Sequence, residues 1–170
     1  LTRFKLELAL IGEGPEIDAM RKDVDEMSMM LEDYLAFARG DSGEVAQPTD
    51  MAMALEELRS DAERHGHTAT VAFHGLPVVT VKPASFKRCL ANLVSNAARH
   101  ANTISITGQR DHRYLNITID DDGPGIPADM REEVFKPFLR LDDARNQDEG
   151  GSGLGLAIAR DIARSHGGDI

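Results

Sequence analysis

The chain has 170 residues, of which 41% are hydrophobic and 28% charged, and no run approaches the roughly 20 apolar residues that a membrane-spanning helix needs. Any membrane contact is therefore expected outside this chain. The net charge of -10 argues against a nucleic-acid surface, because it would repel a phosphate backbone. The single cysteine, Cys89, excludes an internal disulfide and a multi-cysteine metal site, and it favours a reducing compartment.

Residues 1–40 predict a helical hairpin. The segment GEGPE at residues 12–16 separates a short amphipathic stretch from a longer one. In the longer stretch, apolar residues recur at alternating spacings of three and four, as in a seam that faces a partner helix: Ile17, Met20, Val24, Met27, Leu31, Tyr34 and Ala38. Two helices with such narrow apolar stripes bury too little apolar surface by themselves, so we expect the hairpin to pair with a second copy in a dimeric four-helix bundle. Packing on the rest of the chain is the alternative.

The remaining chain predicts a second domain of the α+β class. Residues 41–50 are polar with glycine and proline, which indicates a linker. From residue 51 onward the pattern mixes helices and strands. We expect helices over 51–66, 83–100 and 154–166, a short helix near Met130, and strands around 70–74, 78–81, 103–108 and 114–121. Such an order predicts an α/β sandwich with helices on one face of a mixed sheet.

The helix over 83–100 carries two asparagines four residues apart. Asparagine is a poor helix former, so each alone would be a tolerated surface residue. At about 100° per residue, however, one polar stripe contains Cys89, Asn92, Asn96, Arg99 and His100. Neutral amide oxygens suit Mg²⁺ and add no charge that competes with phosphate, and an arginine can pair with a phosphate. The stripe therefore predicts a site for a magnesium nucleotide.

A glycine-containing turn follows the last predicted strand, with Asp121, Gly123 and Gly125 at alternate positions. Glycines permit positive φ and let a flat ligand lie against the backbone. A carboxylate there accepts a hydrogen bond from an exocyclic amine, which favours adenine over guanine. The alternative is a polar turn with no ligand, for which Asp, Gly and Pro are the usual residues.

A second glycine-rich segment, GGSGLGL, precedes the last predicted helix. Small residues before a helix N-terminus form a cluster of amide N–H groups that suits phosphate, although this segment lacks the lysine of a P-loop. A merely flexible connection is the alternative. Between the two glycine segments lie an apolar anchor, Phe135 and Phe138, and a charged loop with Arg140 and Arg145. This arrangement predicts a lid over a ligand.

The order NLVSNAARH, DDGPGIP, FKPF and GSGLGL resembles the N, G1, F and G2 boxes of sensor histidine kinases of the EnvZ type. The resemblance implies a dimerisation and phosphotransfer hairpin over 1–40, truncated at its start, a linker over 41–50, and a catalytic ATP-binding domain of the GHKL superfamily over 51–170, truncated at its end. It also implies that Asn96 is the Mg²⁺ ligand. The ATP-binding residues that it implies are Asn92, Asn96, Arg99, His100, Asp121, Gly123, Gly125, Ile126, Arg140, Arg145, Gly151, Ser152, Gly153, Leu154, Gly155 and Leu156.

The activity that the resemblance implies is that of an ATP-dependent protein-histidine kinase. The γ-phosphoryl of ATP·Mg²⁺ passes to a histidine and then to an aspartate of an OmpR-type response regulator, and the protein also acts as a regulator phosphatase. The resemblance also implies an acceptor histidine just before Leu1, in a segment of the type His-x-x-x-Thr-Pro, and none of the six histidines of this chain lies in such a setting. We expect a homodimer through residues 1–40, in the cytoplasmic portion of a bacterial inner-membrane protein.

Two alternatives remain open. Another GHKL ATPase, of the topoisomerase or chaperone type, is disfavoured by the seam and by GSGLGL. A dimeric scaffold that binds ATP without phosphotransfer is favoured if no acceptor histidine precedes Leu1. One departure from the family concerns His100, which stands where the family commonly has a tyrosine beside adenine. Its smaller ring stacks on less surface, so a modest adenine affinity is expected.

Overall fold

The computed structural model describes residues 43–140 and 152–170, together with positions 6, 10, 12, 14, 16–21, 24, 27, 28, 31, 34 and 35. These early positions are helical except Gly12 and Gly14, which lie in the predicted break of the hairpin. The pairing of the hairpin and the division into segments 1–40, 41–50 and 51–170 stay predictions. In the part of the chain that is described, no helix is long and apolar enough to cross a lipid bilayer.

Residues 43–140 and 152–170 contain five strands, three α-helices and one short 3-10 helix. In chain order they are β1 (Gln47–Asp50), α1 (Met51–Arg64), β2 (Thr68–His74), β3 (Val78–Val81), α2 (Pro83–His100), β4 (Thr103–Arg110), β5 (Leu115–Asp121), the 3-10 helix (Glu133–Phe135) and α3 (Gly155–Ser165).

The main sheet is mixed, as the sequence predicts. Strand β4 lies in the centre, parallel to β2 and antiparallel to β5, while β1 and β3 form a separate antiparallel pair. Alternate residues of β4 are buried, Ile104, Ile106 and Gly108, as the two-residue period of a strand requires. Leu55 of α1 and Leu90 of α2 pack in the same core cluster as the two isoleucines. The helices therefore cover one face of the sheet, and the predicted α+β class is confirmed.

A second core cluster joins α2 to α3, and it contains Cys89, Leu154, Ile158, Ala159 and Ile162. The Cys89 thiol donates a hydrogen bond to the carbonyl oxygen of Ala159 over 3.3 Å. Cys89 lies on the same face of α2 as Asn92, as the sequence predicts, but α3 covers this turn of the helix, so Cys89 belongs to the core. Burial raises the pKa of Cys89 to about 11, so the side chain stays a thiol at neutral pH.

Two local predictions also differ from the structure. Strand β1 lies within the segment that was predicted as a linker, because its polar residues give no strand signal until they pair with β3. Asp50, at the end of β1, also caps α1 by accepting a hydrogen bond from the Met53 amide over 3.1 Å. The short helix expected near Met130 is instead a turn followed by the 3-10 helix, and the Met130 carbonyl accepts one bond, from Val134 over 2.9 Å.

The close packing around Gly108 in the central strand β4 gives a testable prediction about the stability of the core. A methyl group on Gly108 would meet the Phe73 ring and lie 2.9 Å from Cδ1 of Leu55. We expect Gly108→Ala to lower the free energy of unfolding by about 1–3 kcal/mol, because the core must shift to admit the methyl group. The matched control is Gly168→Ala, whose methyl group would lie 3.5 Å from the nearest atom, the Ala163 carbonyl oxygen. Urea unfolding of both variants measures the difference, and equal stabilities would contradict the packing of β4.

Candidate functional site

The first part of the site is the contact between the middle of α2 and the start of α3. A methyl group placed on Gly155, the first residue of α3, would lie 3.9 Å from Cβ, Cγ and Oδ1 of Asn92. Asn92 and Asn96 are both half-buried. The structure therefore brings Asn92 of the predicted pair beside Gly155 of the predicted glycine segment.

The amide nitrogen of Asn92 is buried, and it has no hydrogen-bond partner among the described residues. Such a group typically costs about 1–3 kcal/mol of stability. A polar atom kept at this cost beside the start of another helix indicates a ligand-binding role.

The N-terminus of α3 lacks a side-chain cap. Its N-cap residue is Leu154, for which no side-chain capping bond exists, in contrast to α1, which Asp50 caps. The amide of Leu154 itself donates to Oγ of Ser152 over 3.2 Å. An uncapped helix start carries partial positive charge and attracts phosphate oxygens. Leu154 is buried in the cluster between α2 and α3, so its side chain anchors the helix.

The turn after β5 packs against the carboxyl end of α2. The Gly123 amide donates to Oδ1 of Asp121 over 2.9 Å, and a methyl group on Gly123 would lie 2.9 Å from the His100 carbonyl oxygen. Only glycine permits this approach. Gly125 has a φ of +73°, which also favours glycine. Asp121 is exposed there, near the helix end that carries the exposed Arg99 and His100.

Asp122 holds this turn in place, a role that the sequence analysis did not assign. Its Oδ1 accepts hydrogen bonds from the amides of Asn102 and Thr103 over 2.8 and 2.9 Å. These bonds lower the pKa of Asp122. The carboxylate thereby joins the start of β4 to the end of β5.

The two ends of the predicted lid meet. The Phe138 amide donates to the Gly153 carbonyl oxygen over 2.9 Å, and the two residues have φ of +67° and +66°. A methyl group on Gly153 would lie 2.9 Å from the Phe138 carbonyl carbon, so glycine is required on that side. Arg140 is exposed beside this contact. Arg145 and Gly151, two more predicted site residues, lie outside the described residues.

A family model described as "Histidine kinase-, DNA gyrase B-, and HSP90-like ATPase" matches residues 81–170, which run from the end of β3 through α3. The chain belongs to this ATPase family. The match includes α2, the turn after β5 and the start of α3, which together form the site.

Similar proteins narrow the family further. The chain is 33% identical over 180 residues to the sensor histidine kinase CpxA of Escherichia coli, across 99% of this chain and 39% of CpxA. It also resembles the mycobacterial sensor histidine kinase MprB, with a TM-score of 0.62 and 28% identity over 72% of this chain and 81% of that chain. For the ATP binding domain of PrrB from Mycobacterium tuberculosis the TM-score is 0.60 and the identity 25%, over 73% and 83%. The predicted resemblance to a histidine kinase catalytic core is confirmed. The chain spans about two fifths of the length of CpxA (39%).

Arg160 of α3 is a site-supporting residue of this ATPase domain that the sequence analysis missed. Its guanidinium carbon lies 4.5 Å from the centre of the Phe135 ring, and its Nη1 pairs with Glu132 over 2.9 Å. It thus ties α3 to the 3-10 helix before the lid. No short-range pattern signals this contact, because residues 132 and 160 meet only in the fold.

Asp169 supports the same arginine from the other side. It accepts hydrogen bonds from Arg164, from the Ile170 amide and from Arg160, which lower its pKa to about 2. Because the folded pKa lies below the ordinary value of about 4, these bonds contribute to stability at neutral pH. The contribution is lost as the pH falls from about 4 towards 2.

The unpaired amide of Asn92 generates the prediction for this site. We expect Asn92→Ala to raise the free energy of unfolding of the nucleotide-free protein by about 1 kcal/mol, because it removes an unsatisfied buried donor. The same change should abolish the rise in Tm that Mg-ATP gives to the unmodified protein. Thermal unfolding with and without Mg-ATP measures both effects. The control is Ser95→Ala on the exposed side of α2, and a destabilised Asn92→Ala protein that still responds to Mg-ATP would contradict the prediction.

Proposed function

We propose that the chain is the kinase core of a sensor histidine kinase, which binds ATP·Mg²⁺ and transfers the γ-phosphoryl to a histidine outside this chain. The buried, unpaired amide of Asn92 beside the uncapped start of α3 is the observation that supports this proposal best. It is the kind of group that a bound phosphate or its cation would satisfy. The relatives that are sensor histidine kinases favour this activity over that of another GHKL ATPase.

The phosphate end of the nucleotide would lie between α2 and α3. No group of three or more His, Cys, Asp or Glu side chains that could hold a metal occurs in the described part of the chain. In phosphoryl-transfer sites Mg²⁺ typically binds through the phosphates and few protein ligands. We assign Asn96 as its protein ligand and Asn92 and Arg99 as phosphate-side contacts. When bound, Mg²⁺ neutralises the charge that develops on the phosphates.

The adenine end would lie at the turn after β5. Oδ1 of Asp121 already accepts a bond from Gly123, and a carboxylate has further acceptor capacity for the exocyclic amine of adenine. Gly123 and Gly125 form the floor, with Ile126 and His100 beside the base. Arg140, Arg145 and the segment from Gly151 to Leu156 would contact the phosphates. Catalysis on this proposal is positioning and charge stabilisation by these groups.

The test of the proposal is phosphoryl transfer by the intact kinase that contains this chain and the acceptor histidine. Incubation with γ-³²P-ATP should label a histidine. Asn96→Ala should lower the labelling by about a hundredfold, a typical loss for a charge-stabilising group, while the circular dichroism spectrum is unchanged. Ser95→Ala, one residue away on the exposed side of α2, is the control and should label normally.

Two results would count against the proposal. Full labelling of the Asn96→Ala protein means that Asn96 is not the Mg²⁺ ligand. An unmodified protein that binds ATP but labels no histidine favours the dimeric ATP-binding scaffold instead.

We propose that residues 1–40 form a homodimer. Six side chains of the predicted seam are described. In the single chain four of them are about half exposed, Met20 55%, Met27 49%, Leu31 47% and Tyr34 51%, whereas Ile17 is half-buried and Val24 is buried. They recur at helical spacing on described helical positions. An apolar stripe of this kind needs a partner surface, and a second copy supplies an identical one.

Met27→Lys tests the dimer. The change places an unpaired ammonium in the middle of the stripe, and burying it in the bundle is costly, so the dimer should dissociate to monomers. Ala19→Lys, at an exposed helical position off the stripe, is the control and should remain dimeric. Light scattering at micromolar concentration measures the mass. A chain that is monomeric before any substitution would contradict the bundle, and joint loss of dimer and nucleotide binding would place the hairpin against the ATPase domain.

The partner that receives the phosphoryl group would be a response regulator of the OmpR type. This proposal rests on the resemblance to EnvZ-type kinases. The same hairpin would present phosphohistidine to the regulator and would support removal of the phosphoryl group from it. Because ATP is a cytoplasmic substrate, we place the domain in the cytoplasm, with any membrane contact through segments outside this chain.

A further inference from the structure

Helix α2, which carries both asparagines, begins without a cap of its own. Its N-cap residue is Lys82, which makes no side-chain capping bond, and its first residue is Pro83, which has no amide hydrogen. The amides of Ala84 and Ser85 are therefore the donors that a normal cap would satisfy.

Glu44, about 40 residues earlier in the chain, supplies this cap. Its Oε1 accepts a hydrogen bond from the Ala84 amide over 2.6 Å. Its Oε2 accepts from the Ser85 amide over 3.0 Å and from the Ser85 hydroxyl over 2.6 Å. The negative charge also lies at the positive end of an 18-residue helix, where it is stabilised by the helix dipole.

The same end of α2 is fastened to α3. The Lys82 amide donates to Nε2 of His166 over 3.1 Å, and the His166 ring contacts Phe86 edge-on with ring centres 5.3 Å apart. Nδ1 of His166 bonds the Ile162 carbonyl oxygen over 2.8 Å, at the end of α3. Three segments therefore meet here: the chain before β1, the start of α2 and the end of α3. The candidate nucleotide site lies at the opposite end of the α2–α3 pair.

We propose that Glu44 is a positioning residue for phosphoryl transfer, because it fastens the chain between the hairpin and the ATPase domain to the start of α2. This inference rests on the proposed function. Glu44 lies in the segment that enters the domain, three residues before β1 begins at Gln47. Its bonds to Ala84 and Ser85 fix the point from which the ATPase domain is tethered to the hairpin.

Release of Glu44 would lengthen the tether. Residues 44–46 would then be free up to β1, which adds about 10 Å of reach at about 3.4 Å per extended residue. On this proposal the latched tether already matches the span to the acceptor histidine, so a longer tether lowers the effective concentration of the ATP-loaded domain there. The nucleotide contacts, which lie from Asn92 in the middle of α2 onward, would be unchanged. We call the bonds from Glu44 to Ala84 and Ser85 the latch. Loss of the latch should therefore lower the transfer rate and leave the ATP affinity unaffected.

The first measurement tests the latch by itself. In Glu44→Ala, amide hydrogen exchange at Ala84 and Ser85 should accelerate by about tenfold or more, because both donors lose their acceptor. The Met53 amide, capped by Asp50, is the internal reference and should exchange at its original rate. The matched control is Glu57→Ala, which removes an exposed ion pair with Lys87 of α2 and should leave both rates unchanged. Equal acceleration at Met53 would mean general destabilisation and would overturn the latch, as would no acceleration at Ala84 and Ser85.

The second measurement tests positioning in the intact kinase. At saturating ATP, the labelling rate of Glu44→Ala should fall by about threefold or more, whereas its ATP Kd should change by less than about twofold. Glu44→Gln keeps one acceptor oxygen and should recover part of the rate. An unchanged rate, or a parallel loss of rate and ATP affinity, would overturn the inference. An unmodified protein that labels no histidine would count against the proposed function, whereas the exchange result would still decide the latch.

Discussion

The antiparallel packing of α2 against α3 is the contact on which the candidate site depends. Cys89 bonds Ala159 near the middle of the pair, Lys82 bonds His166 at one end, and Asn92 faces Gly155 at the other. Because these contacts fix the two helices along their length, the start of α3 must lie beside the asparagines. The turn after β5 then closes the other side, through the contact of Gly123 with the carboxyl end of α2.

The site combines several features that do not stabilise the domain. Asn92 keeps a buried amide without a partner, α3 starts without a side-chain cap, and Phe138 adopts a φ of +67°, which is unusual for a residue other than glycine. At the starts of α1 and α2, by contrast, the backbone amides donate hydrogen bonds to the carboxylates of Asp50 and Glu44. Unfavourable features that cluster in one place typically mark a functional site, where a ligand supplies the missing interactions.

Much of this could be predicted from the sequence, and the failures have a common cause. The bounds of α2 and the mixed sheet were predicted from periodicity and turn residues, whereas the grouping of Asn92 with the glycine segment was implied by the resemblance to histidine kinases. The burial of Cys89 under α3 was missed, because helical periodicity gives a stripe but not which neighbour covers it. Strand β1 and the Arg160–Phe135 contact were missed, since both exist only through pairing across the fold. The absence of a local cap at Lys82 was the one available signal for a distant partner such as Glu44.

The most direct test of the nucleotide site is calorimetry of Mg-ATP and Mg-GTP binding to the unmodified chain and to Asp121→Asn. The account predicts that the unmodified chain binds ATP more tightly than GTP, because a carboxylate at the base accepts from the amine of adenine but opposes the oxygen of guanine. Asp121→Asn should weaken ATP binding by about 1–3 kcal/mol, the cost of losing a hydrogen bond that the bound base would bury. Equal affinities for the two nucleotides in the unmodified chain, or no ATP binding at all, would contradict it.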